Sequence, residues 1–184
     1  MLIKYLFLFL ALLTSCSFIE NFKKPTPEEV FRKERDKRIY SAVRKFKKAM
    51  EAKGYRAAGL GEGIDHSTGK QNYLGITFDI EQLPDIDFAR RVEIEAIQEF
   101  LHYLNSEEGI ENYVAEYPYP VKFIEIAFIN KQPLQGLFSV ANCQEEIYYR
   151  QDGPDGLMGP SIEVHSESYE EAVRILEQGK PSKE

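Results

Sequence analysis

One alternating run of residues constrains the fold of this chain more than any other feature. Between Asn72 and Ile80, every second residue is large and apolar. Because successive side chains of a strand point to opposite faces, this period of two predicts a strand with one covered face. Tyr55 to about Gly61 is also strand-like, and the turn-rich stretch Gly63–Gly69 between the two predicts a hairpin. The side chains expected on the covered face are Leu74, Ile76, Phe78 and Ile80, with Tyr73, Thr77 and Asp79 on the other.

The start of a first helix is marked by consecutive signals. Thr26 suits the N-cap and Pro27 the N1 position, and Glu29 stands where a capping box needs it. The helix is expected to run to about Lys53, because Gly54 is suited to the left-handed residue that follows a helix. Its apolar residues recur at helical spacing, so one face packs against other elements. They are Ile39, Val43, Phe46 and Met50.

Two more helices and one short one are predicted later in the chain. Pro84-Asp-Ile-Asp87 begins a second helix that runs to roughly Asn105. Ser106–Gly109 begins a short third helix that extends through Val114. The last helix opens with a second capping box, Ser168-Tyr-Glu-Glu171, and ends at Gly179.

Three further strand-like runs lie between these helices. They are Val121–Asn130, Leu137–Cys143 and Ile147–Arg150, and the glycine- and proline-rich stretch Asp152–Pro160 after them is expected to be a loop. The predicted order is therefore α-β-β-α-(α)-β-β-β-α. Tight turns between successive strands favour an antiparallel sheet, so the fold class is α+β: a single domain with a sheet of about five strands and helices packed on one face.

The N-terminus differs from this domain in composition. Met1–Lys4 carries one positive charge, Tyr5–Leu13 is uninterrupted and apolar, and Thr14 and Ser15 lead to Cys16. A membrane-spanning helix needs roughly 20 apolar residues, and this run is much shorter. The pattern favours a cleaved signal peptide.

The four residues Leu13-Thr14-Ser15-Cys16 resemble the lipobox of bacterial lipoproteins. The resemblance covers only this segment. It implies cleavage before Cys16, a diacylglycerol thioether on its sulfur and usually a third acyl chain on the new amine, which together anchor a protein stably to a membrane. Ser17 lacks the aspartate associated with inner-membrane retention, which implies the periplasmic face of the outer membrane. The expected organisation is a signal peptide (1–15), a lipidated tether (16–27), one domain (28–179) and a disordered tail (180–184).

Charge is unevenly distributed along the chain, whose formal net charge is −7. Residues 20–56 hold 13 Lys/Arg against 6 Asp/Glu, whereas residues 57–184 hold 9 against 24. This acidity argues against nucleic acid as a partner. The basic first helix is interpreted in three ways: as a solvated face, as a contact with anionic headgroups, or as a surface docking on the acidic domain or on a neighbour. Lys37, Arg44 and Lys48 represent this possible interaction surface.

A second possible interaction surface is the segment Tyr117-Pro-Tyr-Pro120. Its prolines stiffen the chain and could present Tyr117 and Tyr119 to a partner or a glycan; alternatively, both tyrosines cover the edge of the sheet.

Cys143 has no intramolecular partner once Cys16 is lipidated. It is expected to be a buried thiol on a strand, with an intermolecular disulfide or a reactive thiol as alternatives.

No residue pattern predicts catalysis, a cofactor or a metal site. The glycines of Gly59–Gly63 precede another strand rather than a helix, which does not fit a phosphate-binding loop. Asp65-His66-Ser67 are sequence neighbours and cannot align as a triad. Glu99 and His102 form a single E-x-x-H pair, whereas a di-iron site needs further carboxylates on facing helices.

The leading hypothesis is an envelope lipoprotein that acts by binding or scaffolding, held by membrane lipid through Cys16 and contacting an envelope protein. The alternatives are a hydrolase of cell-wall material and a carrier of a small apolar ligand.

Overall fold

The computed structural model describes residues 24–132, 136–153 and 160–179, so the predicted signal peptide and Cys16 lie outside the described residues. The described part of the chain forms three helices, six strands and two short 3-10 helices. The helices are α1 (Pro27–Ala52), α2 (Ile86–Asn105) and α3 (Tyr169–Gln178). The strands are β1 (Arg56–Ile64), β2 (Gln71–Ile80), β3 (Ile124–Asn130), β4 (Ser139–Cys143), β5 (Glu146–Gln151) and β6 (Ile162–Ser168). The 3-10 helices are Ile110–Asn112 and Val121–Phe123.

The chain divides into two compact units, and the division falls between Glu34 and Arg35, within α1. In the first unit, the predicted capping box is present: the amide of Glu29 donates to Thr26 Oγ1 at 3.2 Å, and the amide of Thr26 donates to Glu29 Oε2 at 2.8 Å. The hydrogen bond from the Thr26 amide favours the charged carboxylate of Glu29 and lowers its pKa. Desolvation of the carboxylate opposes this shift only in part. The second unit contains the rest of α1 and all of the sheet.

The helix boundaries predicted for the second unit are confirmed. Asp85 caps α2 by accepting the amide of Phe88 at 2.8 Å, and Ser168 caps α3 by accepting the amide of Glu171 at 3.1 Å. Gly54 follows α1 with a φ of 91°, the conformation for which glycine is suited. The short helix predicted to begin at Ser106–Gly109 and to extend through Val114 is present only as one turn of 3-10 helix, Ile110–Asn112.

The six strands lie side by side in the order of the sequence. Four neighbouring pairs are antiparallel, but β2 and β3 are parallel, where an antiparallel sheet was expected. The physical reason is the connection: α2 crosses over between these two strands and returns the chain to the end where β2 began. The sheet is therefore mixed, within the α+β class that the sequence predicted.

One face of the sheet carries the core. The aligned residues Phe78, Phe128, Val140 and Tyr149 of four neighbouring strands are all fully buried. Phe46 of α1 lies edge-to-face on Phe78, with ring centroids 5.6 Å apart. The buried residues of the helices and of this face form a single apolar cluster. No described helix is both long and apolar enough to cross a membrane.

The sixth strand was not predicted. In β6, the two side chains that face the covered side of the sheet are His165, opposite Tyr149, and Glu167, opposite Ile147. Ile162 and Val164 are exposed instead. Because the inward positions are polar, β6 lacks the apolar alternation by which the other strands were recognised.

Candidate functional site

The polar inward side of β6 belongs to a cluster of ionisable groups buried under α2. Arg90 and Glu93 of α2 are 6% and 0% exposed, and Glu167 of β6 is 5% exposed. Both α2 residues lie on the helix face that also buries Ile94 and Ile97. Charged residues are almost never fully buried without a partner, so each of these groups needs one.

Arg90 is held by two carboxylates. Its Nε donates to Glu167 Oε1 at 2.7 Å, and its Nη1 donates to Asp87 Oδ1. The hydroxyl of Tyr149 donates to the same Glu167 oxygen. Burial opposes the charge of Arg90, but these bonds outweigh it and raise the pKa of the guanidinium. Burial is the main cause of a raised pKa at Tyr149, and the hydrogen bond to Glu167 adds to it. The Tyr149 hydroxyl therefore stays neutral and donates its proton to that bond.

Glu93 sits deeper, with only one oxygen bonded. Its Oε1 accepts the amide of Asn142 at 3.0 Å, and its Oε2 is buried without a hydrogen-bond partner. Complete burial raises the pKa of Glu93 well above its ordinary value, and the bond from Asn142 opposes this only in part. Burial therefore favours the protonated, uncharged form of this carboxyl group.

Asn142 joins this cluster to the sheet. The paired ladder between β3 and β4 ends at Ala141, and the side chain of Asn142 continues it. Its Oδ1 accepts the amide of Ile126 at 2.6 Å, and its Nδ2 donates to the carbonyl of Ile124 at 2.7 Å. Buried backbone groups that would otherwise lack partners are satisfied in this way.

Two grooves open beside Arg90. The first, which we call the helix groove, lies between α2 and α3 and has a volume of about 560 Å³. The second, the strand groove, lies at the start of α2 and against β6, with a volume of about 610 Å³. Asp87 and Arg90 line both grooves. The helix groove has an apolar wall of Ile94, Val173, Ile175 and Leu176, and the strand groove is lined by Asp85, Gln151, Val164 and His165 among others.

His165 connects the strand groove to the buried cluster. Its ring centroid lies 5.4 Å from that of Tyr149, and its Nε2 lies 3.9 Å from Glu167 Oε2. That oxygen has no hydrogen-bond partner. The position of His165 within β6 sets its side chain between solvent and the buried carboxylate of Glu167.

The two tyrosines predicted to form one surface lie in different environments. Tyr117 is 50% exposed, and its hydroxyl donates to the carbonyl of Asn105 at 3.2 Å. Tyr119 is 1% exposed, so its prediction as a surface residue is wrong. Its amide donates to Asn105 Oδ1 at 2.6 Å, and its ring packs into the core, where burial raises its pKa.

The basic residues of α1 differ in their surroundings. Lys37, Arg44 and Lys48 are exposed, and Arg44 Nε donates to the carbonyl of Tyr40. Lys45 and Lys53 form ion pairs of 2.6 Å with Glu107 and Glu99. The latter pairs agree with the interpretation in which the basic helix docks on its own acidic domain.

Cys143 is exposed, so the expectation of a buried thiol is wrong. It follows Asn142 on β4, and because Asn142 points into the core, Cys143 lies on the uncovered face of the sheet. Tyr73 lies on that face and donates to Glu125 Oε2 at 2.8 Å; burial and this bond raise its pKa to about 12. Among the described residues, no group of three His, Cys, Asp or Glu side chains is arranged to hold a metal ion.

Arg90, Glu93 and Glu167 were all missed by the sequence analysis. The signal for the first two was their helical position: they interrupt the apolar stripe of α2, where Ile86, Ile94 and Ile97 recur. Glu167 gave no such signal.

Comparison of the chain with protein families, curated proteins and solved structures found no match, so these residues are interpreted from their own chemistry.

Proposed function

We propose that this chain is a bacterial envelope lipoprotein, anchored through acylated Cys16, whose α+β domain binds a ligand or partner at the grooves beside Arg90. The outer membrane, facing the periplasm, is the proposed location. The support for the anchor is the sequence Leu13–Cys16 with its preceding apolar run.

The observation that carries the binding role is the position of Arg90. A buried guanidinium that lines two open grooves is a costly arrangement, because a charge must be removed from water and then compensated. Binding sites combine an apolar wall with a few fixed polar groups, and the helix groove has this composition.

Two measurements test this proposal in cells that produce the full chain. Metabolic labelling with a palmitate analogue should label the wild type and leave Cys16→Ser unlabelled and released from the membrane fraction. Photo-crosslinking from position 91, beside the helix groove, should capture a specific ligand or partner, whereas the same crosslinker at exposed position 111 should not. Equal yields from the two positions would count against the groove.

A hydrolase is the second candidate, and one observation favours it. His165 lines the strand groove with Glu167 behind it, as a general base with an orienting carboxylate would. No described residue lining either groove is a serine, threonine or cysteine, so water would be the nucleophile. Cell-wall hydrolysis that is present in the wild type and lost in His165→Gln, with unchanged folding, would establish this alternative; absence of hydrolysis in both proteins would exclude it.

A further inference from the structure

We propose that the helix groove binds an amphiphile with a carboxylate head group, such as a fatty acid, and that this carboxylate takes the place of Asp87 on Arg90. The inference rests on the proposed binding function and names its ligand class.

The head-group site is provided by Arg90, whose orientation is fixed. Its Nε is bonded to Glu167, which is itself held by Tyr149. The guanidinium is a rigid fork that suits a planar carboxylate. Arg91, exposed on the same groove, adds a second positive charge.

Asp87 behaves as an internal ligand that can be displaced. Its side chain is 83% exposed, although it bonds to the buried guanidinium of Arg90. Because most of this side chain is already in water, its carboxylate stays hydrated when it rotates away from Arg90. Glu167, with a side chain that is 2% exposed, cannot leave in the same way. One of the two carboxylates on Arg90 is therefore structural, and the other is replaceable.

The tail site is the apolar wall of the groove. Val173, Ile175 and Leu176 of α3 are only partly buried, and Ile94 of α2 lies beneath them. The groove volume of about 560 Å³ falls within the usual range for small-molecule sites. Glu95 and Glu177 also line the groove; as exposed carboxylates they disfavour an anionic head group near them and so favour the Arg90 position.

The charge at the start of α2 agrees with this ligand class. Asp87 lies in the first turn of α2, where the helix dipole favours negative charge, and a ligand carboxylate that took its place would have the same advantage. A cationic head group would face Arg90, Arg91 and this dipole together. A carboxylate is therefore preferred over an ammonium group with the same tail.

The test is titration of the unlipidated chain (residues 17–184) with decanoate below its micelle concentration, followed by 15N–1H NMR. We expect saturable shifts at the amides of residues 87–95 and 173–179. Asp87→Asn should bind decanoate about tenfold more tightly, because a charge-assisted competitor for Arg90 becomes a neutral one. Asp85→Asn is the matched control: it removes the same charge two residues away, at a position that does not line the helix groove. It keeps an N-cap residue and leaves Arg90 paired with Asp87, so its affinity should change less than about threefold.

Four outcomes overturn the inference. They are no saturable binding of decanoate, equal binding of decyltrimethylammonium, equal gains from Asp85→Asn and Asp87→Asn, and weaker binding by Asp87→Asn. The proposed function fails separately, when the groove crosslinker captures nothing specific in cells. If that crosslinker captures a protein while decanoate does not bind, the inference is wrong and the binding function stands.

Discussion

Replacing Glu93 by glutamine tests the buried cluster most sharply. Glu93 is fully buried, and burial raises its pKa well above the ordinary value, so the folded chain keeps this proton at pH values where the unfolded chain has lost it. The sign follows directly. Above the pKa of an unfolded glutamate, about 4.3, folding must take up one proton, and the free energy of unfolding falls as pH rises.

The pH dependence of the free energy of unfolding is that expected for a single bound proton. A difference of one bound proton changes the free energy of unfolding by about 1.4 kcal/mol per pH unit, until the pH reaches the folded-state pKa. Glutamine has the same shape, keeps an oxygen for the amide of Asn142, and has no proton to lose. Glu93→Gln should therefore remove this slope and be more stable than the wild type at pH 7.

The assay is urea unfolding of the unlipidated chain, followed by circular dichroism from pH 5 to pH 8. The difference between Glu93→Gln and the wild type should grow with pH by up to about 1.4 kcal/mol per unit. The exposed Glu111→Gln serves as the control and should run parallel to the wild type. A constant difference for Glu93→Gln across this range, or a loss of stability that grows with pH, would refute the argument that Glu93 is protonated.

Three further predictions concern stability, measured in the same unfolding assay. Gln144 and Glu145 form the β4–β5 turn with φ values of 50° and 73°, so replacing them by Asn-Gly should stabilise the chain by about 1 kcal/mol; no gain would show that the turn is not strained. Arg90→Met should lower the free energy of unfolding by about 3 kcal/mol or more, because it leaves Glu167 buried without its ion pair. The double variant Arg90→Met/Glu167→Leu should recover most of that loss, and additive losses would contradict the pairing. A Cβ at Gly75 would lie 2.6 Å from the Tyr73 hydroxyl, so Gly75→Ala should destabilise the wild type by about 1 kcal/mol but not a Tyr73→Ala background, and equal effects in both would exclude this contact.

The sequence predicted those elements whose local pattern is also their tertiary pattern. The alternation in β2 and the helix caps each depend only on residues that are close together in sequence. They could therefore be predicted from the sequence alone. The parallel pairing of β2 with β3 was not, because it depends on the path of α2 over the sheet.

The candidate site was hidden from the sequence for a related reason. Arg90 and Glu167 are 77 positions apart and meet only through the packing of α2 on β6. Each alone resembles an exposed residue of an acidic, charge-rich chain. Tyr119 shows the converse: its prolines suggested exposure, but the core provides space for its ring.

The proposed anchor at Cys16 is tested most directly by mass spectrometry of the N-terminal peptide of the full-length gene product purified from bacterial membranes. We expect a mature chain that begins at Cys16, with a diacylglycerol thioether on the sulfur and, in most molecules, a third acyl chain on the amine. A peptide that begins at Met1, or one that begins at Cys16 with an unmodified thiol, would contradict it.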